Sequence, residues 1–428
     1  MLQAVIGALR VKELRDRIFF NFFAFFVFVL TIHITVPGVN YKEWERLLES
    51  QALFSFLGMF TGGALNKFAI TAMGITPYIN ASIIMQLLTI VIPKLEELAK
   101  EGGEMGRKQI SKYTRFLTIG LAFLQSGMMV FWLQKQTEIF LHKSVLFYII
   151  TVFSLTAGTA FLMWLGEQIS DKGIGNGVSL LIFAGIVLRY PNYLGKTLQV
   201  VHLENIPNMI LFGVIAILLV MAIVMINQGQ RRVPVQYAKR IVGRRVMGGQ
   251  STYIPIRVNN AGVISIIFAI SILYFPSTVL GYVTQSGILS PNSSLAQFFH
   301  GLFDPGSWFY NLCYALLVIF FTYFYAAITF NIMDVADNMK KYGGFIPGIR
   351  PGRPTAEHLE KILSRVTFVA AIFLAVIAVL PTFVMQLTRV HTFYLGSTSL
   401  LIIVGVALDT MQQIEARLML RHYQGFMK

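Results

Sequence analysis

Charge is scarce in this chain: Asp, Glu, Lys and Arg together make up 13% of its 428 residues. A soluble domain carries about 25%. Cysteine is scarcer still. Cys313 is the only one, which excludes a disulfide framework and any cysteine-based metal site. It lies in an apolar run and reads as a packed or lipid-facing thiol. The seven histidines are scattered, and there is no HExxH helix, Walker loop or Cys–His cluster. The sequence therefore offers no enzyme motif, no metal site and no cofactor site. The first seventeen residues lack an apolar core followed by a small-residue cleavage site, so no cleavable signal peptide is expected. "VIGALRVKELRDR" reads instead as an amphipathic helix on a membrane surface.

Apolar residues are abundant, at 55% with 36 phenylalanines. A spanning helix needs roughly 20 apolar residues. Ten candidate spans follow, at about 18–36, 70–92, 114–133, 145–166, 174–189, 208–226, 261–283, 308–330, 364–385 and 397–414. Gly74, Pro77, Asn80 and Ser82 interrupt the second, and the fifth, in "GIGNGVSLLIFAGIVL", is barely long enough. More than three quarters of the 35 Lys and Arg residues fall in the N-terminus, the C-terminus and every second loop. That bias predicts cytoplasmic termini, and it accounts for the net charge of +15 without a nucleic-acid substrate. Ten spans divide into five and five, and an odd number per half inverts the second half relative to the first.

Intramembrane charge, the usual mark of ion-coupled transport, is nearly missing. Glu167, Asp171, Asp334 and Asp409 lie at or near span ends, and no span carries a charge at its centre. Polar groups of the second span, Asn80, Ser82, Gln86 and Thr89, are candidates to bond facing spans through Gln125, Ser265 or Ser271. Two loops are long and basic. "QRRVPVQYAKRIVGRRVMGGQSTYIPIRVNN" has no acid, and the second carries "KKYGGFIPGIRPGRPTAEH". Basic juxtamembrane loops ordinarily signify topology and attraction to anionic lipid. Their length suits a protruding contact with an acidic or RNA-containing partner. Pro347, Gly348, Pro351 and Gly352 would stiffen a tip that presents Arg350. Finally, "MFTGGALNKFA" is too short and polar to span, yet runs straight into an apolar stretch. It is either a surface loop or a re-entrant piece, which is tolerated at membrane depth only inside protein or a wet cavity.

Five stretches together carry a family signature: "GGALNKFAITAMGITPYINASIIMQLL", "GEQISDKGIGNGVSLLIFAGI", "GQRRVPVQYAKR" with "QSTYIPIRVNNAGVI", "ADNMKKYGGFIPGIRPG", and "GSTSLLIIVGVALD". In order and over nearly the whole chain they resemble the SecY family, the channel subunit of the general protein-secretion translocon. The resemblance implies an all-α membrane protein with ten transmembrane helices in two inverted five-helix halves, closed like a clamshell, with a re-entrant plug half-helix. The implied boundaries are 1–17 for the N-terminal helix, 18–190 and 191–414 for the halves, and 415–428 for a tail. The basic loops would be 227–260 and 331–363.

The plug matches 56–67, with Phe56, Met59, Phe60, Gly62, Gly63, Asn66 and Lys67. The aliphatic ring of the pore falls on Ile79, Ile83, Ile182, Ile267 and Ile402. A narrow apolar constriction repels ions yet grips no side chain strongly. Family members often have proline where this chain has Ser265, which leaves Ile266 beside Ile267 as a ring candidate. A lateral gate is implied near Gln86, Gln125, Ser271 and Phe275, and docking arginines at Arg244, Arg245 and Arg350. The partners implied are the SecE and SecG subunits, the SecA motor, the ribosome, signal-bearing polypeptides and membrane lipids. The implied location is the plasma membrane of a prokaryote. A secondary transporter of small solutes is the alternative, and a pore-less insertase or scaffold the third.

Overall fold

The computed structural model describes residues 7, 9–50, 58, 61–100, 102–135, 139–141, 144–199, 206–237, 240–242, 245–247, 251–259, 262, 264–270, 272–273, 293–303, 307–388 and 397–426. It is mostly helical. Two compact units divide the chain, one formed by Met1–Lys196 with Val406–Lys428 and the other by Thr197–Gly405. Among the described residues six helices are long and apolar enough to cross a membrane, or seven if a sharply bent pair counts as one.

In the first unit, α1 (Lys12–Ile32) begins inside the stretch expected to lie on the membrane surface and runs without a break into the first span. Its inner stripe is Leu14, Asn21, Ala24, Phe28 and Ile32. Phe19, Phe22, Phe23 and Phe26 project on the exposed side. Exposed phenylalanines at this density suit lipid rather than water. A short helix, α2 (Tyr41–Ser50), follows. The second span is broken: Thr61 to Ile75 runs as consecutive turns, with Gly62, Gly63 and Gly74 all at positive φ. Helix α3 (Thr76–Val91) starts with Pro77 in its first turn, where the missing N–H is not needed. It bends by 105° into α4 (Pro93–Lys100), because Pro93 cannot continue the ladder of α3.

Helices α5 (Gly103–Lys135) and α6 (Val145–Lys172) are long and apolar enough to span, whereas α7 (Gly177–Gln199) contains a shorter apolar stretch. Small and hydroxyl residues let α5 and α6 approach. The Ser126 and Thr156 hydroxyls are 3.2 Å apart, and Thr156 also donates to Val152 O at 2.8 Å. The Gly173–Gly177 loop turns tightly between α6 and α7, as its glycines suggest. Asn21 clasps its backbone: Nδ2 donates to Ile174 O at 2.8 Å, and Oδ1 accepts from Ile174 N at 3.4 Å. A Cβ on Gly173 would overlap Asn21 Oδ1. The last helix, α13 (Ser397–Phe426), sends Gln413 Oε1 to Gly175 N at 3.0 Å. Its Ile414 packs with Leu14 and Ile174.

The second unit contains α8 (Ile206–Gln228), α9 (Ser294–Phe303), α10 (Trp308–Thr329), α11 (Ile332–Lys341) and α12 (Arg353–Thr388). The expected seventh span is described as helix at 264–270 and 272–273. The structure adds a small sheet to the helices. Strand β1 (Gln230–Tyr237) pairs antiparallel with β4 (Ser251–Arg257), and β5 (Gly344–Phe345) pairs with the other side of β1. Between β1 and β4, β2 (Arg240–Val242) pairs with β3 (Arg245–Met247). Val233 and Val235 alternate inward and share a core with Ile256, Met339, Ile346, Leu359 and Leu363. The two basic loops are thus one folded platform. Arg232 lies over the Tyr253 ring at 4.7 Å.

Candidate functional site

Plug positions Phe56, Met59 and Phe60, gate positions Ser271 and Phe275, and docking position Arg244 lie outside the described residues. The described part of the plug segment is tightly bonded. Thr61 Oγ1 donates to Gly58 O at 3.1 Å and accepts from Leu65 N at 3.3 Å. Leu65 and Ala64 are buried, whereas Asn66 and Lys67 are exposed. Gly62 abuts α7: a Cβ there would lie 3.1 Å from Gly185 Cα. At the end of the segment the chain adds a bridge. Val36 N donates to Phe68 O at 3.0 Å, and Ile70 N donates to Ile34 O at 2.9 Å. Phe68 itself has φ 45, a left-handed conformation unusual for a bulky residue.

The ring candidates sit as follows. Ile79 and Ile83 are one turn apart on α3 and both half-buried, which places them on one helix face. Ile182 on α7 is buried. These three belong to the first unit, and Ile267 and Ile402 to the second. Ile266 is fully buried while Ile267 is half-buried, so of the two Ile267 keeps more free surface. Ile402 is buried within α13.

Of the gate positions, Gln86 on α3 is exposed and Gln125 on α5 half-buried. The expectation of hydroxyls bonding across spans needs correcting at two residues. Thr89 Oγ1 donates to Gln86 O at 2.7 Å, and Ser265 Oγ to Gly262 O at 3.4 Å. Short hydroxyls reach a carbonyl of their own turn before they reach a neighbour.

Arg245 lies on β3. Arg350 is exposed on the tip between β5 and α12, where Gly348 and Gly352 take φ of 82 and 100. The tip is rigidly mounted. Ile349 N donates to Ile346 O at 3.0 Å, Thr355 Oγ1 donates to Arg350 O at 2.9 Å, and Ile346 is buried in the platform core.

Reading the sequence missed three things. The alternation of Val233 and Val235 in "RRVPVQY" was visible as a strand signal. So was the amphipathic pattern of "YKEWERLL", whose Trp44 is fully buried. The clasp of Asn21 had no local signal.

A family model described as SecY matches residues 69–411. The chain belongs to the SecY family. The protein translocase subunit SecY of Thermotoga maritima is 45% identical over 440 residues, which cover 100% of this chain and 98% of that protein. That of Mycobacterium tuberculosis is 43% identical over 447 residues and the full length of both. SecY-type folds also appear among solved structures. One described as the plug domain of SecY stabilising the closed state of its translocation channel aligns with a TM-score of 0.63 at 17% identity. It covers 94% of this chain and 92% of that chain. Sec61 in the canine ribosome-channel complex aligns at 0.52 and 16% identity, with the same coverage of both chains. At these identities the structures speak to the SecY fold alone. With its apolar helices and bacterial SecY relatives, the chain is a multi-pass protein of the prokaryotic plasma membrane.

Proposed function

We propose that this chain is the gated, protein-conducting channel of a bacterial secretion translocon. The observation that carries the reading is full-length similarity to translocase subunits at 45% and 43% identity. Unfolded secretory polypeptides cross through a waist lined by Ile79, Ile83, Ile182, Ile267 and Ile402. Apolar walls exclude ions by dewetting and offer a passing chain no strong grip. The segment 56–67 is the plug, a reading supported by its match to the family's plug stretch and by the tight local turns of its described part. Signal sequences and membrane segments leave sideways by partitioning into lipid between spans two and three on one side and seven and eight on the other.

Both termini face the cytoplasm, following the distribution of Lys and Arg. The folded basic platform then also faces the cytoplasm. It carries Arg245 and Arg350 as ionic contacts for a motor ATPase of the SecA type and for the ribosome, and Arg244, outside the described residues, is assigned the same role from the sequence. SecE and SecG are the membrane partners, with anionic lipid around the basic rim. The work is supplied by a partner, because the sequence holds no nucleotide-binding motif. A small-solute carrier is disfavoured by the lack of any charge at a span centre.

Deleting residues 56–67 tests the plug. The resting open state is a minor one, on the order of 1% of channels. In planar bilayers, resting ion conductance is expected to rise severalfold or more, while motor-driven import of a secretory precursor into proteoliposomes persists. Unchanged conductance would remove the plug from the account.

A further inference from the structure

Trp44 stands at the root of the plug segment in a way the channel reading does not use. Helix α2 is amphipathic: Lys42, Glu45 and Arg46 are exposed, whereas Trp44 and Leu48 are buried. The Trp44 indole Nε1 donates to Leu65 O at 2.7 Å. Its ring meets Phe68 edge-on, with centroids 4.9 Å apart and planes at 79°, and Phe68 meets Phe140 in the same manner at 6.5 Å. These rings belong to one buried cluster with Leu65, Leu133 and Phe140.

The two sides of Phe68 are held differently. Downstream, Phe68 and Ile70 are tied by main chain to the end of the first span, at Val36 and Ile34. Upstream, the bonds of 61–67 are mostly local, such as Ala64 N to Thr61 O and Lys67 N to Gly63 O. Into this upstream part the Trp44 indole delivers a side-chain hydrogen bond from another helix. Between the two sides lies the left-handed backbone of Phe68.

We propose that Trp44 is a positioning residue, a latch that holds the plug segment closed from the side opposite the cytoplasm, with Phe68 as the pivot. The inference rests on the plug reading above. Opening breaks the Trp44–Leu65 hydrogen bond, slides the Trp44–Phe68 ring contact and draws Leu65 out of the cluster, while the bridge at 34–36 stays intact and keeps the plug tethered. Such a bond is weak enough to break during each transport event and strong enough to bias the closed state.

The test is resting conductance of the full chain, reconstituted with its partner subunits, in four forms: unaltered, Trp44→Phe, the 56–67 deletion, and both changes together. Trp44→Phe keeps an aromatic ring, removes the donor and trims the buried side chain, and the plug-deleted background separates loss of the latch from loss of packing. We expect it to raise resting conductance about fivefold, and to add nothing in the deleted channel. If the deletion leaks and Trp44→Phe does not, the latch is overturned while the plug stands. An equal effect of Trp44→Phe with and without the plug would also overturn it, because the tryptophan would then support the helices and not the plug. A deletion without leak would overturn both. Should Trp44→Phe fail to accumulate, Phe68→Leu, which keeps apolar bulk and loses the ring contact, is read against the same outcomes.

Discussion

Replacing Gly158 with valine is expected to destabilise the fold severely. Gly158 lies mid-way along α6, where a Cβ would overlap the carbonyl oxygen of Ile70 and crowd Thr71 N at 3.1 Å. The obstacle is backbone, so no rotamer change relieves it. The segment 69–75 is also fixed elsewhere by its bridge to residues 34–36, so it cannot retreat freely. In membranes, close helix approach depends on such small residues. Overpacking of this kind costs about 3 kcal/mol or more, a large part of a typical domain's stability of about 5–15 kcal/mol. Thermal unfolding in detergent measures it. Gly120→Val on α5 is the control, since nothing lies within 4 Å of its added Cβ, and it should shift stability by under about 1 kcal/mol. Equal stability of the two variants would refute the packing argument.

Reversing the charge of Arg350 should have the larger effect on transport. Its side chain is exposed, so Arg350→Glu disturbs no core. Its backbone is held by the Thr355 hydroxyl and by a tip seated on the buried Ile346. The guanidinium is therefore presented on a stiff mount, which limits the entropy lost when a partner binds. If an acidic surface of the motor docks here, a glutamate replaces attraction with repulsion. A loss of about 2 kcal/mol or more is expected, seen as a roughly thirtyfold lower rate of motor-driven precursor import. Arg350→Lys keeps the charge but not the planar fork, and should fall between. An unaltered import rate for Arg350→Glu would remove the tip from the docking surface.

The spans were legible because lipid imposes a length and composition that few other constraints disturb. The phenylalanines exposed on α1 and the long apolar run of α8 are read directly from residue type. The second span was legible as a weak one, through Gly74 and Pro77. What hydropathy could not give was the way the chain solves the break: a run of turns at 61–75, then a bend of 105° after Val91. Those depend on contacts with residues far away in the sequence, such as Gly158 with Ile70 and Val36 with Phe68. The platform was hidden for a different reason. Reading the loops by charge drew attention to their arginines and away from the period-two pattern of Val233 and Val235. Pairing β5 with β1 joins residues more than a hundred apart, and no local signal announces it. The candidate site divides similarly. Ile79 and Ile83 share a face by helical spacing alone. Trp44 became visible only when its indole was seen on Leu65 O.

A channel of this kind passes its polypeptide along Ile83. The direct measurement begins by replacing Cys313 with serine, which leaves the chain without cysteine, and then placing a cysteine at position 83. The variant is reconstituted with its partners, and a secretory precursor carrying a single cysteine is stalled half-way across. A disulfide that forms only for certain positions of the precursor cysteine puts the polypeptide in the pore and Ile83 in its wall. No disulfide from any precursor position, with transport otherwise intact, would take Ile83 out of the path and contradict the channel described above.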